Sequence, residues 1–171
     1  MSQEHAVELE RVEENNEDMD AFLVPPNGGE RIENPLGGEI VFKVRGAQTR
    51  ERLTVFEAAN APGQGPPLHV HSLLDELIYV IDGTIRVRLS DRVERAGAGA
   101  CVFIPRGTPH TWAVSSDGTA RLLVVVAPAG LEQFFDSTAS AGGGQAEDAF
   151  SRFGGDDLTV VGAPLAVTHP E

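Results

Sequence analysis

His69 and His71 stand two residues apart, Glu76 follows five residues later, and His110 closes the set from a distant part of the chain. This arrangement restricts the fold more than any other feature. Successive side chains of a strand point to opposite faces, so both imidazoles project from one face. Glu76 has the wrong parity to share that face in one unbroken strand, which requires a turn over Ser72-Leu73-Leu74-Asp75. From Glu76 the chain runs Leu77-Ile78-Tyr79-Val80-Ile81, apolar and suited to a strand. Asp82-Gly83 reads as a two-residue hairpin turn, and Thr84 to Leu89 alternates like a returning strand with one wet face. Asp117-Gly118 reads in the same way, closing His110-Thr111-Trp112-Ala113-Val114 onto the strand from Ala120 to Val126. His110 must therefore reach the other ligands from another strand.

Three imidazoles and one carboxylate suit one divalent transition metal ion: iron, nickel, manganese, copper or zinc. Protein donors would leave positions open for water, O₂ or a chelating substrate, the mark of a catalytic site and not a structural one. The expected ligands are His69, His71, Glu76 and His110. Asp75 competes with Glu76 and is expected to face solvent.

Gly63, His69, His71, Glu76 and Gly83 fit the pattern G(X)5HXH(X)3-4E(X)6G, and Gly99, Pro105, Gly107 and His110 fit G(X)5PXG(X)2H, in which Val114 replaces the terminal Asn. In these two motifs the chain resembles the cupin superfamily. The Asn is not a ligand, so its loss leaves metal binding intact. The resemblance implies an all-β fold, a double-stranded β-helix or jelly-roll barrel with short C-terminal helices, and implies the metal-ligand role for the four residues. The wider run from Glu39 to Gln133 is similar to single-domain cupins of the quercetin dioxygenase type. That similarity implies a second role for Glu76, as the catalytic base taking a substrate proton.

A length of 171 residues suffices for one domain with a sizeable core. The expected organisation is an acidic tail over residues 1–20, the barrel over 21–130, and a helical segment over 131–171 packed on the barrel. Leu131 to Phe135 and Gln145 to Phe153 are the expected helices, with Leu158 to Val161 a candidate edge strand. A net charge of −13 disfavours nucleic acid and anionic membranes as partners, and no apolar run is long enough to span a bilayer. A single cysteine excludes an internal disulfide. The acidic N-terminus has no signal-peptide pattern, so a cytoplasmic protein is expected. Barrels of this size have edges to protect, and a homodimer is expected.

Ile78 and Val80 share the face of Glu76 and are expected to floor a substrate pocket. Trp112 shares the face of His110 and serves equally as pocket wall or core filling. Tyr79 faces the other way, as packing. Cys101 is expected to be a buried, inert thiol, and Arg106 a solvated loop charge. A redox-active ion in an apolar pocket suits O₂ chemistry on a bound chelate. The leading expectation is a metal-dependent dioxygenase acting on a flavonol-like or other enolic aromatic small molecule. The same centre would also serve Lewis-acid chemistry, in a cyclase, isomerase or decarboxylase. It would equally hold a small molecule without turnover.

Overall fold

Alternation with period two builds most of this chain. Inward positions of β3 (Thr54–Asn60), β5 (Asp75–Asp82) and β10 (Ala120–Ala127) are buried, and the residues between them are wetter. The computed structural model describes residues 19–34, 37–140 and 157–165. The remaining strands are β1 (Glu30–Glu33), β2 (Glu39–Val44), β4 (Leu68–His71), β6 (Thr84–Leu89), β7 (Arg92–Gly97), β8 (Cys101–Ile104), β9 (His110–Val114) and β11 (Leu158–Gly162). One sheet has the order β1-β2-β3-β10-β5-β8 and the other β11-β4-β9-β6-β7. All neighbours are antiparallel. Their inner faces enclose one core that includes Phe42, Ile78, Val80, Ile85, Leu122 and Val126. This is the expected jelly roll. One helix, α1 (Leu131–Ser140), follows β10.

Two turns differ from the sequence expectation. Asp82-Gly83 and Asp117-Gly118 do not close hairpins: β5 pairs with β10 and β8, whereas β6 pairs with β7 and β9. Each turn carries the chain from one sheet to the other. Of the first pair only Gly83 has a positive φ, at 80°, so the type I′ geometry is absent. A Cβ on Gly83 would lie 2.8 Å from Ala120 Cα, which makes glycine the residue that lets the crossing pass β10.

β1 carries no sequence expectation, and the candidate edge strand over Leu158 to Val161 is present as β11, which joins the edge of the second sheet beside β4. The second expected helix, and residues 1–18 of the tail expected over 1–20, lie outside the described residues. The loop from Ala61 to Pro67 lies along β9: Gly63 N donates to Val114 O (2.9 Å), Val114 N to Gln64 O (3.0 Å), and Thr111 Oγ1 to Pro66 O (2.6 Å). These bonds bury β9 throughout, and they lead the chain directly into β4. A Cβ on Gly65 would lie 1.8 Å from Trp112 O, so only glycine permits this approach.

Candidate metal centre

The four expected ligands come from three strands. His69 and His71 lie on β4, Glu76 on β5 and His110 on β9. His69 and His110 are direct cross-strand partners, which sets their ring centroids 4.2 Å apart. The turn over Ser72-Leu73-Leu74 moves the chain into the opposite sheet, so Glu76 faces the histidines from across the barrel. One donor atom from each of the four lies within 4.8 Å of the others, and all four residues are buried. Glu76 Oε2 is 3.0 Å from His110 Nε2 and 3.6 Å from His71 Nε2.

Each imidazole is oriented from behind. His69 Nδ1 lies 2.8 Å from Pro67 O, and His110 Nδ1 lies 2.8 Å from Thr108 O. A carbonyl oxygen only accepts, so Nδ1 carries a hydrogen in both rings, and Nε2 is the atom left to serve as a ligand. His71 Nδ1 faces Asp157 Oδ2 at 2.9 Å, the carboxylate–histidine pair that raises ligand basicity in metal sites. Leu73 N donates to the other Asp157 oxygen. Three imidazoles and one carboxylate with ligand atoms within 4.8 Å of one another fit a divalent ion, and these residues would hold it.

The charges follow from this packing. Burial opposes ionisation of Glu76, but hydrogen bonds from His110 and His71 outweigh it and hold the carboxyl well below its ordinary range. Burial lowers His69 to about 3, helped by repulsion from His110 and His71. Burial also acts against charging His71, yet its bonds to Asp157 and Glu76 push it up to about 9. A positive charge is therefore favoured between Glu76 and Asp157, the place where a bound cation would take over from the His71 proton.

A chamber of about 50 Å³ opens beside the cluster, on the side of α1. His69, His71 and Glu76 line one end, and Phe56, Trp112, Leu131, Phe134 and Phe135 form much of the wall. Trp112 lines the chamber and is also part of the core. Ile78 and Val80, expected as the pocket floor, are fully buried and do not line the chamber. They pack into the core, and residues level with them in the same sheet take the wall: Val124 is the direct partner of Ile78, and Ala58 faces Leu122, the partner of Val80.

Other expectations sort by parity. Cys101 is exposed, not buried: it pairs with Tyr79 on the outer face of β8, an edge strand, and the inward residues there are Val102 and Ile104. Arg106 is the exposed loop charge expected, and it is also paired. Its Nε and Nη2 contact the two Asp75 oxygens at 3.0 and 2.9 Å, and its N donates to Oδ1 at 2.9 Å. That fork turns Asp75 away from the cluster and pulls its carboxyl down to about 2. Asp157 and α1's chamber-lining residues went unread in the sequence. Asp157 sits 86 residues from His71 with no spacing pattern to join them. Its only signal is an acid preceding a short apolar strand. We expect Asp157→Asn to weaken metal binding about 10- to 100-fold with little change in melting temperature of the metal-free protein. Competition with a chromogenic chelator reads the first and thermal unfolding the second; unchanged affinity would show that His71 needs no such partner.

Residues 57–126 match a protein family described as "Cupin domain". Quercetin 2,3-dioxygenase from Bacillus subtilis (strain 168) is 31% identical over 100 residues, 57% of this chain. The matched region spans 29% of that protein's length. Among solved structures, the polyketide cyclase RemF from Streptomyces resistomycificus superposes with a TM-score of 0.54 at 26% identity, over 63% of this chain and 80% of that one. KdgF from Halomonas sp. superposes at 0.57 and 16% identity, over 66% and 98%, a likeness of fold alone.

Proposed function

On the premise that residues 57–126 form a cupin domain, we propose that the protein is a metal-dependent dioxygenase acting with O₂ on a flavonol-like or other enolic aromatic small molecule. The observation that carries this reading is the cluster of three imidazoles and one carboxylate at one end of an aromatic-walled chamber. The similarity to quercetin 2,3-dioxygenase supports the choice of substrate class. The bound ion supplies Lewis acidity and, if redox-active, a path for electrons to O₂.

The chain's own residues do the rest. Trp112, Phe134 and Phe135 offer flat faces to an aromatic ring and exclude water. Glu76 is deprotonated at neutral pH and takes the proton of the enolic hydroxyl on its carboxylate. His71, fixed by Asp157, and His69 and His110, fixed by backbone carbonyls, keep their Nε2 atoms on the reacting end. The ring then opens at a carbon–carbon bond with both oxygen atoms retained in the product.

The test is an oxygen electrode with a flavonol panel, using protein reconstituted separately with iron, nickel, manganese, copper or zinc. Oxygen uptake in proportion to flavonol consumed, lost in Glu76→Gln, is the expected result. No uptake with any ion would overturn the dioxygenase. A second reading, a cyclase using the ion only as a Lewis acid, is favoured by the polyketide cyclase structure, since this chain covers 80% of that protein. Conversion without oxygen uptake, supported equally by zinc, would select it.

We further infer a homodimer through the outer face of β5 and β8, where Phe103 is 61% and Tyr79 40% exposed beside Cys101. Sedimentation should give a dimer that Phe103→Glu dissociates; a monomeric wild type would refute it. An exposed, unpaired thiol suits the reducing cytoplasm, which cell fractionation tests. Among the described residues no helix is long and apolar enough to cross a membrane.

A further inference from the structure

The chamber is small for the work assigned to it. One water needs roughly 10–15 Å³ on this measure, so about 50 Å³ admits only a few water-sized molecules. Pockets for drug-sized ligands run to roughly 300–1,000 Å³. An aromatic substrate therefore enters only if a wall yields. Phe56, Trp112 and Val124 stand on β3, β9 and β10, each hydrogen-bonded to strands on both sides. Leu131, Phe134 and Phe135 stand on α1, which belongs to no sheet.

Two polar tethers hold α1 in place. The buried carboxylate of Glu132, in the first turn, accepts from Gly46 N (2.7 Å), Gly130 N (3.1 Å) and Thr54 Oγ1. These donors belong to three separate parts of the chain, and none of them lies within α1. Arg45 forms the outer tether: its Nη1 and Nη2 reach the two Asp136 oxygens at 2.9 and 3.0 Å, and its guanidinium lies 4.1 Å from the centre of the Phe42 ring.

We propose that α1 is the size-selecting wall of the metal chamber and that Glu132 is the residue that positions it, admitting an aromatic ligand when its bonds to Gly46 and Thr54 part. The proposal rests on the reading of the chamber as a substrate site, but not on any reaction there. Glu132→Gln keeps the volume and replaces one acceptor oxygen by an amide donor, which faces an N–H or hydroxyl donor and loosens the first turn. Phe135→Ala widens the wall without touching the tether. Glu132 acts on the ligand only through α1 and is not a catalytic residue.

Trp112 is the chain's single tryptophan and lines the chamber, so its fluorescence reports occupancy without metal or turnover. The experiment is stopped-flow mixing of the full-length, metal-free chain with phenol, 2-naphthol and quercetin in turn. For the wild type, the observed rate should level off at high ligand concentration at a common value set by helix opening. Glu132→Gln should raise that plateau about tenfold, the effect of losing one hydrogen bond to a charged group. Phe135→Ala should tighten binding of the two- and three-ring ligands more than that of phenol, and Val124→Ala, on the sheet wall, should not.

Rates linear in ligand and equal in all variants would overturn the proposal. So would a Glu132→Gln protein that melts lower yet binds with wild-type kinetics, because the residue would then be structural only. A complete lack of saturable binding in every variant would overturn it as well. If Glu132→Gln fails to fold, Arg45→Met cuts the outer tether, together with the Arg45–Glu30 pair on β1, leaves the Glu132 bonds in place and should raise the same plateau. The expected kinetics combined with no oxygen uptake by the metal-loaded protein would refute the dioxygenase and leave the gate standing.

Discussion

His110→Ala is expected to abolish stable metal binding, with affinity falling by more than about 100-fold, beyond the range seen when only an outer hydrogen-bond partner is lost. His110 is 1% exposed, offers Nε2 as a ligand atom and packs that atom 3.0 Å from Glu76 Oε2. Its removal takes away one ligand and frees a second. Elemental analysis of untagged wild type should find close to one ion per chain, and analysis of His110→Ala, or of the Glu76→Ala/His110→Ala pair, almost none. The wild type should also melt higher when the ion is added, since saturation at about 100 times Kd adds roughly 2.7 kcal/mol. That rise should vanish in the variant. Equal metal in both proteins would remove the four-residue centre as an explanation.

Phe42→Ala is expected to destabilise the fold by about 3–5 kcal/mol, a large part of the roughly 5–15 kcal/mol that holds a domain together. The Phe42 side chain is 2% exposed. Its ring meets Phe56 edge-on at 5.8 Å and Phe135 at 6.0 Å, and those two meet at 5.4 Å. The triad joins β2, β3 and α1, so its loss leaves a cavity that ladder-bonded strands cannot close. It also removes the surface on which Arg45 rests. Urea unfolding measures the change, with Leu23→Ala, at an 84% exposed position, as a control expected within about 0.5 kcal/mol of wild type. A loss below 1 kcal/mol for Phe42→Ala would mean that the strands relax into the space.

Parity and spacing made the ligand set legible. The step of two from His69 to His71, and the odd step to Glu76 that demanded a turn, required no knowledge of the partner strands. The same local rules failed wherever the answer depended on a distant neighbour. Asp82-Gly83 has hairpin residues, yet which sheet receives the next strand is settled by β10 occupying the position beside β5. Cys101 lies in an apolar run, and only its register opposite Tyr79 places it outside. Ile78 and Val80 have the right parity for the metal face, but Val124 and Ala58, level with them on neighbouring strands, take the chamber wall instead. Asp157 and Glu132 act through bonds to residues 86 and 78 positions away, which no window of sequence displays.

The alternation of strands between two sheets has a consequence for how the molecule comes into being. Asn60 pairs with Ala120, and His69 with His110, so the ladders that frame the centre join residues 60 and 41 positions apart. Long loops must close before such pairs form, and folds dominated by non-local pairing are slow, commonly milliseconds to seconds. During synthesis His69, His71 and Glu76 emerge well before His110, and they have no framework until β9 and β10 arrive. The coordination sphere is thus a late product of folding. An ion present from the start would stabilise the finished barrel without shortening the search for it.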